Sequence, residues 1–172
     1  MPDANALIYL SKAGLLEDVL VDGGNRLEVE GVRVGESVHE EAVERGVQAG
    51  YTDAHVLKRF VERECERVET GKRHPVDHLV EHLGGRGEAE ALLLARQTEE
   101  PTCVVTSDRR AYERIDRTGT QVVRTDTLVY TAHEEGHLPR YDLYEQLLSL
   151  RQVNGTTDAR LAFLVSQTEE QP

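Results

Sequence analysis

The chain has 172 residues, of which 32 are Asp or Glu and 20 are Lys or Arg, for a formal charge of −12 at neutral pH. That length suits about one domain, with a core large enough to need no disulfide staple. The charge excludes nucleic-acid binding through a broad basic surface and leaves room only for a local basic patch. Only Lys12, Lys58 and Lys72 are lysines and tryptophan is absent, which resembles a halophilic surface; an acidic protein that grips a basic partner fits the same count. Cys65 and Cys103 form no CxxC, so neither a disulfide framework nor a cysteine metal site is expected, and the setting is read as reducing. With no basic leader and no apolar run of spanning length, the expectation is a cytoplasmic protein without membrane contact.

In chain order, Ala4 to Lys12 carries apolar residues at helical spacing, and Gly14 stands where such a helix would stop. A short second helix is predicted over Leu15 to Val21. Arg26 to Val34 alternates apolar and charged residues around Gly31, the pattern of a strand. Ser37-Val38-His39-Glu40 has capping-box spacing, so Ser37 is expected to open a helix and Glu40 to hold a first-turn amide. Further helices are predicted at 52 to 65, 75 to 83 and 87 to 98. Charge, histidine and glycine collect from about 66 to 86, which reads as an insertion or long connection within a single domain over 1 to 172. Thr102 to Thr106 is a β-branched run, read as a buried strand. A helix over Arg109 to Ile115, a strand over Gln121 to Val123 and helices near 126 to 135, 140 to 150 and 157 to 166 complete the chain. Strands alternating with helices predict an open α/β sandwich with a mostly parallel central sheet. Ligands of such sheets lie beyond the carboxyl ends of the strands.

Most of the 32 acids are expected on the surface, so those that break the pattern matter. Glu88 precedes Leu92 by four positions, which puts it on the inward stripe of its helix, whereas Glu90 is expected to point elsewhere. A buried carboxylate must be paired, hydrogen-bonded or metal-bound; at a helix start it also gains about 0.3–1 kcal/mol from the helix dipole. Glu41 follows Val38 by three and shares its face. Asp108 follows the Thr102–Thr106 strand through Ser107, and Asp3 precedes the first helix; either could be an ordinary N-cap. Arg109, Arg110 and Arg114 follow Asp108, and Arg86 precedes Glu88, so positive charge could rim an acidic pocket and bind RNA phosphates; a solvated helix face is the competing reading for each.

Four short motifs in register, Asp3-Ala4-Asn5, Val38-His39-Glu40-Glu41, Gly87-Glu88 before an apolar helix reaching Ala95, and Val104-Val105-Thr106-Ser107-Asp108, together resemble the PIN-domain nucleases. Leu128 to Leu138 is similar to the Gly-terminated helix of one PIN subgroup, so the resemblance covers most of the chain. It implies a three-layer α/β/α sandwich; because only Met1 and Pro2 precede Asp3, the first strand is expected to be very short or missing. It implies further that Asp3, Glu41, Glu88 and Asp108 converge as an acidic site for one or two Mg²⁺ or Mn²⁺ ions and hydrolyse RNA phosphodiesters. Hard oxygen donors suit such ions. On the same resemblance Asn5 would orient Asp3 or the attacking water, and Thr106 and Ser107 would support the acids as hydroxyl donors. The implied biology is a toxin ribonuclease with an antitoxin partner and a homodimeric state. A PIN-like binding module, silenced by its missing first strand, is the alternative.

Two histidine patterns compete. His133-Glu134-Glu135-Gly136-His137 satisfies HExxH, the zinc-protease pattern, but Gly136 and Pro139 predict that the helix ends before His137. His74, His78 and His82 recur every four residues and would share one helix face, without cysteine or further histidine to close a tetrahedral set.

Overall fold

The computed structural model describes residues 1–21, 31–69, 73–138, 140–154 and 157–169. The first part of the strand expected from Arg26, together with Lys72 and Pro139, lies outside the described residues. Helix α1 (Ala4–Ala13) is capped by Asp3 and closed by Gly14, whose φ of +71° suits glycine and lets its amide reach back to Leu10 and Ser11. Where a second α-helix was expected, Glu17–Val21 forms one π-helical turn. Strand β1 (Val32–Gly35) leads into α2 (Glu36–His39), which continues through a π-helical turn, Glu40–Glu44, into α3 (Arg45–Gln48). Then come α4 (Thr52–Glu64), β2 (Cys65–Val68), α5 (Arg73–Leu83), α6 (Arg86–Gln97) and β3 (Val104–Thr106). The chain continues with α7 (Arg109–Asp116), β4 (Val122–Arg124), α8 (Thr125–Glu134), α9 (Arg140–Asn154) and α10 (Asp158–Glu169). The charged stretch from 66 onward thus carries regular structure, with β2 at its start and α5 after it.

All recorded strand pairing is parallel. β1 pairs with β2 and β3 with β4, each pair joined through helices, as parallel neighbours require. The first strand is present in minimal form. Met1 N donates to Cys103 O at 2.5 Å, Val105 N to Met1 O at 2.9 Å and Asp3 N to Val105 O at 2.9 Å, with Pro2 bridging Val105 in parallel. Among the described residues, hydrogen bonds therefore join two parallel pairs, one widened by this segment, in place of the single sheet expected. Strands of three or four residues are too short for a longer ladder.

Alternation along β3 separates two apolar layers, because successive strand residues face opposite ways. Val105 packs in one cluster with Leu7, Leu10, Leu57, Leu128 and Leu147 from one set of helices and with Val34 of β1. Its neighbour Val104 packs with Val76, Leu83, Leu92 and Ile115 from α5, α6 and α7. Helices thus cover both faces, an α/β/α arrangement.

The expected capping box is absent. Ser37 lies inside the first turn of α2, Gly35 is the N-cap, and Glu40 is exposed, 3.2 Å from Arg45. The cap comes from α6: Glu90 Oε2 accepts the Ser37 amide at 2.7 Å and the Val38 amide at 3.3 Å. Glu90, expected to point outward, is 2% exposed. A Cβ on residue 35 would fall 2.3 Å from Glu90 Oε2, so the absence of a side chain at Gly35 makes room for this long-range cap. Glu90→Ala is expected to cost about 1–3 kcal/mol in urea unfolding, because it strands two helix-start amides, and Glu90→Gln, whose carbonyl oxygen still accepts them, is expected to lose much less.

Candidate functional site

The minimal first strand brings Asp3 to the carboxyl end of β3, where it is 1% exposed. Its Oδ1 accepts the Ala6 amide at 2.6 Å and so caps α1. Its Oδ2 is buried with no hydrogen-bond partner. Burial, first of all, pushes the Asp3 carboxyl up to about 7; the Thr106 hydroxyl and the Ala6 amide oppose the shift, and the negative charges of Glu88 and Asp108 add to it. Thr106 accepts the Asp108 amide at 3.1 Å, which leaves its proton free to favour Asp3.

Glu88 lies in the first turn of α6 and is half-buried. Its carboxylate folds back over the helix start, and a Cβ at Gly85 would fall 1.8 Å from Oε2. Burial raises its pKa, its own amide opposes this, and Glu41 and Asp108 raise it further. Asp108 is the N-cap of α7, with Oδ1 accepting the Arg110 amide at 2.6 Å and the Ala111 amide at 2.9 Å. Glu41 sits on the π-helical turn after α2; although Val38 is fully buried, Glu41 is exposed and reaches the group only by its charge on Glu88. The wider π turn breaks the three-residue spacing that would have kept the two on one face. Gly87 lets these helix starts meet, since a Cβ there would stand 3.2 Å from Val38 and 3.7 Å from the Ala4 amide.

The other expected residues divide. Asn5 is half-buried in the first turn of α1. Ser107 is engaged elsewhere: its hydroxyl meets Thr125 at 2.6 Å and ties β3 to α8 instead of supporting an acid. Arg109 is exposed and pairs with Glu113 at 2.8 Å, and Arg110 is exposed at the start of α7. Arg86 reaches Ser37 at 3.2 Å and Asp77 at 3.5 Å, and Arg114 donates to the His82 carbonyl, so both brace helices rather than rim the acids.

Among the described residues, no three His, Cys, Asp or Glu side chains stand close enough to hold a metal ion in this arrangement. The donor set still fits a hard divalent cation: every group is a carboxylate, and the orphaned Asp3 Oδ2 is aimed at none of its own backbone. The PIN-domain family profile matches residues 1–161. The chain belongs to the PIN-domain family. PIN domains are typically nucleases and generally use divalent metals, so a hydrolase fold is the coarse assignment. No curated protein and no solved structure matches the chain significantly.

The histidine patterns lie apart from the acids of this PIN domain. Helix α8 ends at Glu134, Gly136 takes φ +81°, and the His137 amide closes onto Ala132 O, so His137 falls past the helix. His133 Nδ1 sits 2.7 Å from Leu138 O and His137 Nε2 3.6 Å from Glu135, so the two imidazoles do not stack one turn apart. His78 and His82 share a face, with ring centroids 5.3 Å apart; the His74 side chain lies outside the described residues.

Tyr9 was missed by the sequence reading; burial raises its pKa, and Asp3 and Asp108 add to this, which places it beside the acids. Asp126 was missed too, although Val122-Val123-Arg124-Thr125-Asp126 echoes Val104-Val105-Thr106-Ser107-Asp108 and so marks a second strand-end acid. It is fully buried and paired with Arg124 at 2.9 Å.

The folded Asp3 pKa of about 7 lies well above the 3.8 of an ordinary aspartate, so the native state binds the extra proton and stability falls as pH rises between those values. In metal-free buffer, Asp3→Asn is expected to remove a penalty on the order of 4 kcal/mol at pH 8 and none at pH 3, read from the wild-type minus variant difference in urea unfolding. Asn retains the cap on α1.

Proposed function

We propose that this PIN domain is a metal-dependent endoribonuclease that hydrolyses RNA phosphodiester bonds, with Asp3, Glu41, Glu88 and Asp108 as its acidic centre. The observation that carries this reading is the buried Asp3 carboxyl, with one oxygen unpartnered and two other acids raising its pKa. Such a group destabilises the metal-free fold at neutral pH, and a hard cation offsets that penalty. The RNA and toxin parts draw on the likeness of the motifs to the family; an antitoxin partner and a homodimer belong to the same reading. The binding-module alternative draws on a missing first strand; the hydrogen bonds that tie Met1 and Asp3 to β3 favour the nuclease reading over it.

A bound Mg²⁺ or Mn²⁺ ion supplies Lewis acidity toward a phosphodiester oxygen and a lowered pKa for its water. Asp3 Oδ2, Glu88 and the exposed Asp108 are the groups that would hold it, with Glu41, also exposed, acting through its charge on Glu88. Asp108 is kept from swinging by the two α7 amides on Oδ1, and Thr106 fixes the turn before it. Asn5, two residues from Asp3, orients that acid or the attacking water. Arg109 and Arg110 put positive charge at the start of α7, where a phosphodiester would approach Asp108.

Single-stranded RNA is expected to be cut in the presence of Mn²⁺ or Mg²⁺. Glu88→Gln and Asp108→Asn are expected to lower that rate on the order of 10²-fold or more. Asn caps helices about as well as Asp, so the second variant keeps α7. Cleavage that persists in EDTA, or in both variants, would sink the reading.

A further inference from the structure

Beside the acids, on the far side of Asp108, the carboxyl ends of β3 and β4 open into a cavity of about 470 Å³. Its walls include Asp108, Arg109, Tyr112, Arg124, Thr157 and Arg160, so α7, β4 and α10 all contribute. Asp126 lies behind it with a fully buried side chain and carries two guanidiniums: Arg124 Nη2 at 2.9 Å and Arg160 Nε at 3.7 Å. Arg160 Nη2 also donates to Thr127 Oγ1 at 2.6 Å, and its guanidinium lies 5.3 Å from the Phe163 ring centroid. Arg160 Nε is buried and makes no hydrogen bond.

Arg109 on the same wall pairs with Glu113, and Arg124 and Arg160 share Asp126, so one positive charge stands there against the single carboxylate of Asp108. In a chain of charge −12, that local balance of charge sits in a concavity sharing a wall with Asp108 of the proposed acidic centre. Both guanidiniums are largely shielded, with side-chain exposures of 18% for Arg124 and 31% for Arg160, and a buried anchor fixes their orientation. A preorganised guanidinium in a sheltered concavity is suited to phosphate oxygens. The half-buried Tyr112 on the same wall offers a face to a base or ribose.

We propose that this groove binds a backbone phosphate of single-stranded RNA next to the scissile bond, with Arg124 and Arg160 as its anion-binding side chains. Asp126 is their positioning residue. The inference rests on the nuclease reading above for the identity of the polymer, since Asp108 belongs to both the groove and the acidic centre. It explains how so acidic a chain grips a polyanion without a broad basic face.

The test is equilibrium binding of a labelled oligouridylate of about six nucleotides, in EDTA so that no cleavage occurs, across a salt series. Arg160→Gln is expected to weaken binding about tenfold and to reduce the slope of log affinity against log salt by about 0.7, the loss of one phosphate contact to a single strand. Because Arg160 also braces α10, a second variant separates binding from folding. Thr157 caps α10 through the Arg160 amide at 3.3 Å, so Thr157→Asp keeps the cap while adding negative charge to the groove. It is expected to weaken RNA binding several-fold with an unchanged thermal midpoint. Wild-type affinity and salt slope in both variants would overturn the proposal, and so would inorganic phosphate displacing the RNA at equal molarity, which would assign the groove to a free anion. Weak binding by Arg160→Gln and Thr157→Asp alongside undiminished cleavage by Glu88→Gln would leave the groove standing and remove the nuclease reading. Loss of cleavage in Glu88→Gln with normal RNA binding in both groove variants would do the reverse.

Discussion

Carboxylates of like sign are kept near one another here by the amide ends of helices. Asp3 holds the Ala6 amide of α1, Glu88 folds onto its own amide at the start of α6, and Asp108 holds two amides of α7. Each helix start favours negative charge by about 0.3–1 kcal/mol, and the hydrogen bonds add to that. For Asp3 this is not enough, because burial and two neighbouring acids outweigh one amide and one hydroxyl. The metal-free fold is therefore strained electrostatically at one point, and that point lies at the carboxyl edge of the strands.

Packing brings the helix starts to that edge. Strand β3 supplies Val104 to one apolar layer and Val105 to the other, then ends in Thr106, Ser107 and Asp108. Gly87 admits Val38 and Ala4 at close range, and Gly35 admits the Glu90 carboxylate. At both positions a side chain would occupy space that another element already uses. Two residues after Glu88 on the same helix, Glu90 serves the backbone of α2.

The distribution of arginine follows the same economy. Arg86 and Arg114 are spent on bracing helices, and Arg33 pairs with Glu66 and Glu100. Among the described residues, two arginines share a single buried acid at Asp126. An acidic surface keeps the chain hydrated.

From sequence, local periodicity was sufficient for α1, α4, α6, α7 and α8, for the end of α8 at Gly136, and for β3, because those elements carry their signals within a turn or two. Asp3, Glu88 and Asp108 could be singled out because each stands at a helix start beside an apolar run, a local property. The short β2 could not, since Cys65-Glu66-Arg67-Val68 becomes a strand only through its pairing with β1. Nor could the capping of α2 by Glu90, where a nearby Ser37 and Glu40 offered the local alternative and a residue more than fifty positions away took the amides. Nor could the exposure of Glu41, which follows from a π turn, or the pairing of Arg124 and Arg160 over Asp126, which depends on how α10 docks. Sequence thus determined which residues begin helices and which acids sit there; only tertiary structure decided which of those charges face each other, because that depends on packing distances no local pattern encodes.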